Sequence, residues 1–285
     1  MIALARNSAR LALAMPAFFM PLIAQEAALP AMAFQTPAEA KAFGARLALL
    51  NAPGHPTNGL QPEILEYRVR SRGAQGAMID TLTLTNLHGR QIIRAGRGLN
   101  IAGKSQEEVS DLEPGSLLPI RHTRRIREPD GSIREDTALW DHAGLRFFCE
   151  GNNIRAGRVT RQLYRKEWRL GKDLPVNAVD GLTAFIRFRS LVLAGATEMS
   201  VPLIEGNDER FECVFEPKAD PASARPAPVE RLQAIVVTQR MIPESKGETT
   251  AVDIELARSN AAPQRFEGSF FGMPATLELV SRRAP

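Results

Sequence analysis

The chain has 285 residues and a mass of 31.3 kDa, with 36 Lys and Arg against 32 Asp and Glu and a pI near 9.4. Apolar residues at 44% are enough for a sizeable core and exclude global disorder, while 21 Gly and 20 Pro fall far short of a fibrous or low-complexity chain. A surplus of four positive charges does not by itself define a nucleic-acid binder, and no nucleic-acid partner is expected.

Residues 1–33 read as a secretory signal peptide. Arg6 and Arg10 form a basic start, Leu11 to Ala24 an apolar run interrupted by two prolines, and Ala31-Met32-Ala33 a small-residue cleavage pattern. The run is shorter than the roughly 20 residues of a spanning helix. The expected address is the periplasm, with cleavage near Ala33; a cut after Ala24 and an uncleaved anchor stay open. No later run reaches spanning length, so no transmembrane segment is expected in the mature chain. Residues 34–62 follow as a capped helix (Thr36-Pro37, then Ala38 to Leu50) and a turn-rich linker from Asn51 to Pro62.

From Glu63 to the end, residues 63–285, the period is two. Leu65, Tyr67 and Val69 alternate with charged residues, and Leu82 and Leu84 alternate with Thr81, Thr83 and Thr85. Ile120–Arg127 and Ser132–Trp140 flank Glu128-Pro129-Asp130-Gly131, which has the chemistry of a hairpin turn. Strand-like stretches continue at Leu145–Cys149, Val159–Trp168, Met199–Ile204, Phe211–Phe215, Leu232–Thr238, Val252–Leu256, Arg265–Phe271 and Ala275–Val280. Lys218 to Pro228 reads as a Pro/Ala loop. One helix is expected at 180–193. Asp180 can cap it, and Leu182, Phe185, Ile186, Phe188, Leu191 and Val192 fill one apolar arc at 100° per residue. Arg189 falls inside that arc. It needs a partner or an exit to water; a structural ion pair with Asp180 or with a strand carboxylate is one account, snorkelling is another, and a catalytic or anion-binding role is a third.

Cys149 and Cys213 both share a strand face with large apolar residues. A disulfide between them and two buried thiols both stay open. Gly98 to Ser105 (GLNIAGKS) matches the phosphate-cradling pattern G-x-x-x-x-G-K-[ST], with Lys104 and Ser105 in the roles of phosphate and Mg²⁺ ligands. Its context disagrees. Ser105–Leu112 leaves room for about two helical turns before Pro114-Gly115, and the chain lacks alternating helices, so a loop between strands is the competing account. His55, His88, His122 and His142 are scattered, and His142 sits at a turn. No nucleophile elbow, distinguished carboxylate pair or metal-ligand spacing appears, so no catalytic residue, cofactor or metal is expected. The basic run Arg121-His122-Thr123-Arg124-Arg125 reads as cross-strand pairing with Glu128, Asp130, Glu135 and Asp136.

Four stretches carry a resemblance. They are Leu65-Glu66-Tyr67, Pro114-Gly115-Ser116-Leu117-Leu118-Pro119-Ile120-Arg121, Asp180 to Arg189, and Ala262-Pro263-Gln264-Arg265 with Gly272 and Leu277-Glu278-Leu279. Over roughly 63–281 the chain resembles an exported domain-of-unknown-function family of Gram-negative bacteria (DUF3108), itself similar in fold to the envelope lipoprotein carriers. The resemblance implies a mainly β fold of α+β type: a strongly curved antiparallel sheet, an open half-barrel, wrapping a central helix. It brings no catalytic residues. Two features depart from the family pattern, the Pro/Ala loop and the Gly98–Ser105 segment.

The expected function is a non-enzymatic periplasmic binding module for a lipid, another apolar ligand or an envelope component. Its inner face would be lined by Leu65, Tyr67, Leu82, Leu84, Phe147, Trp168 and Phe211. If the helix fills that space, these side chains are core. Two alternatives remain: an assembly module that binds an envelope protein, for instance by a sheet edge, and a nucleotide hydrolase at 98–105.

Overall fold

The computed structural model describes residues 59–71, 73–205, 209–218, 234–244 and 248–285. The signal peptide, the helix at 36–50 and most of the 218–228 loop lie outside the described residues. Fourteen strands and one helix are present among them: β1 (Glu63–Ser71), β2 (Ala74–Leu87), β3 (Arg90–Ile101), β4 (Lys104–Leu112), β5 (Pro119–Arg127), β6 (Ile133–Asp141), β7 (Arg146–Arg155), β8 (Arg158–Arg169), α1 (Gly181–Leu193), β9 (Met199–Glu205), β10 (Glu209–Pro217), β11 (Ala234–Pro243), β12 (Thr250–Ala257), β13 (Pro263–Phe270) and β14 (Met273–Arg283).

The strands form one sheet in the order β8-β7-β6-β5-β4-β3-β2-β1-β14-β13-β12-β11-β10-β9. Every neighbouring pair is antiparallel. The chain meanders outward from β1 to the β8 edge and crosses by residues 170–180 and α1. It re-enters at the β9 edge and meanders back until β14 closes onto β1, with Tyr67 opposite Leu279. The sheet curves strongly: Arg124 of β5 reaches Glu205 of β9 at 2.8 Å, and Ile204 of β9 packs in one cluster with Trp140 of β6 and Phe147 of β7. It is an open, barrel-like sheet wrapped round a helix, as the sequence implied.

Local chemistry explains the hairpins. Four two-residue turns, His88-Gly89, Ala102-Gly103, Ala156-Gly157 and Phe271-Gly272, place both residues at positive φ. That is the twist-matched turn in which glycine at the second position costs nothing. Gly103, the second glycine of the apparent phosphate loop, is one of them. Gly98–Ile101 ends β3 and Lys104–Leu112 is β4, so the segment is the connection between strands that was the competing account, here a tight hairpin turn, and a strand stands where a phosphate loop would need a helix.

Alternation sets the faces. In β1, Leu65, Tyr67 and Val69 are buried while Arg68 and Arg70 are exposed. The principal core contains these residues with Phe185 and Phe188 of α1 and Cys213, Phe215, Ile254, Leu256 and Leu277 of the second half-sheet. α1 therefore sits on the concave face and joins the two halves.

Candidate functional site

The concave face is the place where a cleft was expected, and α1 occupies it. Asp180 caps the helix, accepting from the Thr183 N–H at 2.9 Å and the Thr183 hydroxyl at 2.5 Å. One flank of the helix, Leu182 and Ile186, packs on Leu82, Ile93, Ala95 and Leu112. The other carries Phe188, stacked on Phe215 with ring centroids 4.3 Å apart, and Phe185, 5.7 Å from Phe266. Leu191, placed in the apolar arc by its spacing, is exposed. A cavity beside the helix is bounded by Leu65, Asp80, Leu82, Leu182, Ile186 and Arg189 and holds about 10 Å³, the lower limit for one water.

The seven side chains expected to line a cleft do not surround one space. Leu65 and Tyr67 belong to the principal core, with Phe211 packed against it. Leu82 belongs to the cluster beneath the start of α1. Phe147 lies in a third cluster with Trp140 and Cys149, against which Trp168 is half-buried. Leu84 is 43% exposed. The sheet is so long that residues sharing its inner face lie over different parts of the filling.

The interior also holds charge. Arg189 is 2% exposed; its Nε donates to the Ala261 carbonyl at 2.8 Å and its Nη2 to Glu63. Glu63 accepts a further bond from Arg282 at 2.9 Å. The expected ion pair of Arg189 is thus with a strand carboxylate, not with Asp180. Nine residues of helix turn through about 900°, which puts positions 180 and 189 on opposite sides. Arg97 binds Asp80 through two bonds of 2.8 Å and lies over the rings of Phe185 and Phe266, at 5.1 and 5.5 Å.

A second polar group sits at the start of α1. Ser110 Oγ lies 2.8 Å from Asp180 Oδ1 and 2.9 Å from His122 Nδ1, and His122 Nδ1 lies 3.2 Å from Asp180 Oδ1. A serine, a histidine and an aspartate in contact invite comparison with a hydrolase triad, but the geometry is wrong. Serine and aspartate meet the same ring nitrogen, whereas a triad needs one on each, and Ser110 is wholly buried. The arrangement is structural. Burial alone would lower the His122 pKa; the Asp180 carboxylate outweighs it, with help from Glu108 and Glu205, and holds it above the ordinary value. Burial would raise Asp180, but His122 and Thr183 hold it down to about 2. The basic run on β5 gave no hint of this role for His122. Only the register of β5 on β4, with His122 opposite Ser110, exposes it. The neighbouring pairs expected from that run are present as Arg124 with Asp136 and Arg125 with Glu135.

Lys104 of the apparent phosphate loop pairs at 3.2 Å with Glu128, both about two-fifths exposed. No helix N-terminus follows it to receive a phosphate. Cys149 and Cys213 are buried in different clusters, and neither is in a disulfide. His142, expected at the surface, is partly buried with Nε2 at 2.8 Å from the Pro119 carbonyl. Among the described residues no group of three or more His, Cys, Asp or Glu could hold a metal ion, and no helix is long and apolar enough to cross a membrane.

The two sheet edges differ. β9 is short, contains Pro202, and is covered by backbone: the Val179 N–H donates to the Pro202 carbonyl and the Ile204 N–H to the Val179 carbonyl, both at 3.0 Å. β8 is 12 residues long, pairs among the described residues only with β7, and is exposed on both faces from Arg158 to Leu163.

Fold and site together define a class: an open, barrel-like antiparallel sheet whose hollow is filled by its own helix, with one edge unpaired among the described residues. No family model matches the chain, and no curated protein matches it. Among solved structures it is similar to a crystal structure described as a β-barrel-like protein of a domain of unknown function, DUF1849, from Brucella abortus. The identity is 11% and the TM-score 0.43, over 78% of this chain and 97% of that one.

Proposed function

We propose that the chain is an exported, non-enzymatic binding module of the cell envelope that meets its partner at its surface and not in a cavity. The carrying observation is the filling of the concave face: α1 buries nine residues there, and the cavity beside Leu182, Ile186 and Arg189 holds about 10 Å³. An acyl chain needs several hundred Å³. Opening that much space would strip Phe185 and Phe188 of their partners, at roughly 3–5 kcal/mol for each phenylalanine. Export is supported by the signal-peptide pattern of residues 1–33 and by the resemblance to the exported DUF3108 family, which also supports a place among envelope proteins.

Native mass spectrometry of the mature chain, purified from periplasm without detergent, tests both parts. The expected result is a bare polypeptide starting after Ala33. Extra mass released by organic solvent and identified as lipid would overturn the surface-binding reading in favour of a carrier. An uncleaved N-terminus would overturn the export part.

A further inference from the structure

The free edge has a chemistry of its own. From Arg155 to Arg169 the chain carries six basic residues, Arg155, Arg158, Arg161, Arg165, Lys166 and Arg169, and one acidic residue, Glu167. The whole chain has a formal charge of only +4. Arg146 and Asp173 answer the charges at the far end of the strand, at Glu167 and Arg169. Arg158 and Arg161 make no ion pair with any described residue. Along the same stretch the outer backbone groups of β8 face no strand among the described residues.

Resting on the surface-binding reading above, we propose that β8 takes an acidic, extended segment of a partner protein as an added strand. Main-chain hydrogen bonds to the free edge would supply the pairing and the arginines the selection. A second copy of this chain is disfavoured: antiparallel pairing of β8 with itself about Leu163 sets Arg161 opposite Arg165, and in any register two strands that each carry five basic residues and one acidic residue repel on balance. The same basic residues that blunt self-association therefore favour an acidic strand. β9 offers no equivalent, because Pro202 and the Val179 bridge already close it.

The test uses the full mature chain and a labelled synthetic peptide of about twelve residues, matched to the length of β8, with Glu alternating with Val and Thr. Fluorescence anisotropy reads binding, and hydrogen exchange reads the β8 amides. The proposal expects binding that weakens with salt and falls roughly tenfold or more in Arg161→Glu/Arg165→Glu. It expects the same loss when a proline is placed at the centre of the peptide, and slowed exchange at the β8 amides that point away from β7. The proline peptide needs no change in the protein, so a poorly folded variant cannot mask the answer. Equal binding of the proline peptide, equal binding of polyphosphate or anionic phospholipid vesicles without β8 protection, or no binding at all would each overturn it. A bare native mass alongside such a failure would leave the surface-binding reading standing and remove only the β8 assignment.

Discussion

Ser110, His122 and Asp180 make the start of α1 sensitive to pH. A histidine whose folded pKa is raised contributes fully below its unfolded value, about 6.5, and loses that contribution as pH rises through the folded value. Asp180, held down to about 2, contributes fully above the ordinary aspartate value near 3.9 and loses its contribution as pH falls through about 2. The pair is therefore at full strength between about pH 4 and 6.5. The groups acting on His122 are Asp180, Ser110, Glu108 and Glu205; Glu205, which burial pushes up, is itself paired with Arg124. Urea midpoints of the protein and of His122→Gln, measured at pH 6 and pH 9, isolate the histidine. The difference between the two proteins should shrink as pH rises; a constant difference would remove His122 from the account. None of this was legible in the sequence, where His122 was one member of a basic run. Arg189 was half legible. Its place on the buried arc follows from 100° per residue, whereas its partner Glu63 lies 126 residues away on another element. Removing Glu63 would leave the Arg189 charge stranded in the core, whereas removing Arg189 would leave Glu63 with Arg282.

At the scale of elements, the alternation of β1, the Pro-Asp-Gly turn before β6 and the cap of α1 could all be read directly. Each is a local event: a side-chain period or a single capping hydrogen bond. In β2 the alternation failed at Leu84, which is exposed, and at Thr81, which is buried beside Leu82. The Gly98–Ser105 motif could be weighed only by its flanks. Gly103 is there because a two-residue hairpin needs a second residue at positive φ, here 79°, and Ala102 carries the strain of the first at 52°. Ala102→Asn should therefore stabilise the protein by about 0.5–1 kcal/mol, and Gly103→Ala should cost about 1 kcal/mol. Thermal or urea unfolding of the two variants measures both. A destabilised Ala102→Asn would contradict the turn geometry. Lys104, in a solvent-exposed pair with Glu128, should be replaceable by Ala at less than about 1 kcal/mol.

At the scale of the molecule, the sheet order separates residues that the sequence sets in equivalent contexts. Cys149 and Cys213 both alternate with phenylalanines, yet one packs with Trp140 and the other beneath α1. Burial pushes the Cys213 thiol up to about 12, so no thiolate is available at neutral pH. A thiol reagent such as Ellman's should find almost no reactive group in the folded protein and two after denaturation without reductant; a single or absent thiol in denaturant would point to oxidation or pairing. The candidate lining residues were scattered for the same reason, since period-two patterning assigns a face but not a place along a sheet of fourteen strands. By itself the sequence determined the mainly β class, twelve of the fourteen strands and the capped helix at 180–193 with a charge on its buried side, because each follows from local periodicity and turn chemistry; β3 and β4 were hidden behind the apparent phosphate loop. Only the tertiary structure decided that β14 closes onto β1, that α1 fills the hollow, and that β9 is covered while β8 is left open. Those are long-range pairings, fixed by which faces can bury one another, and no local pattern records them.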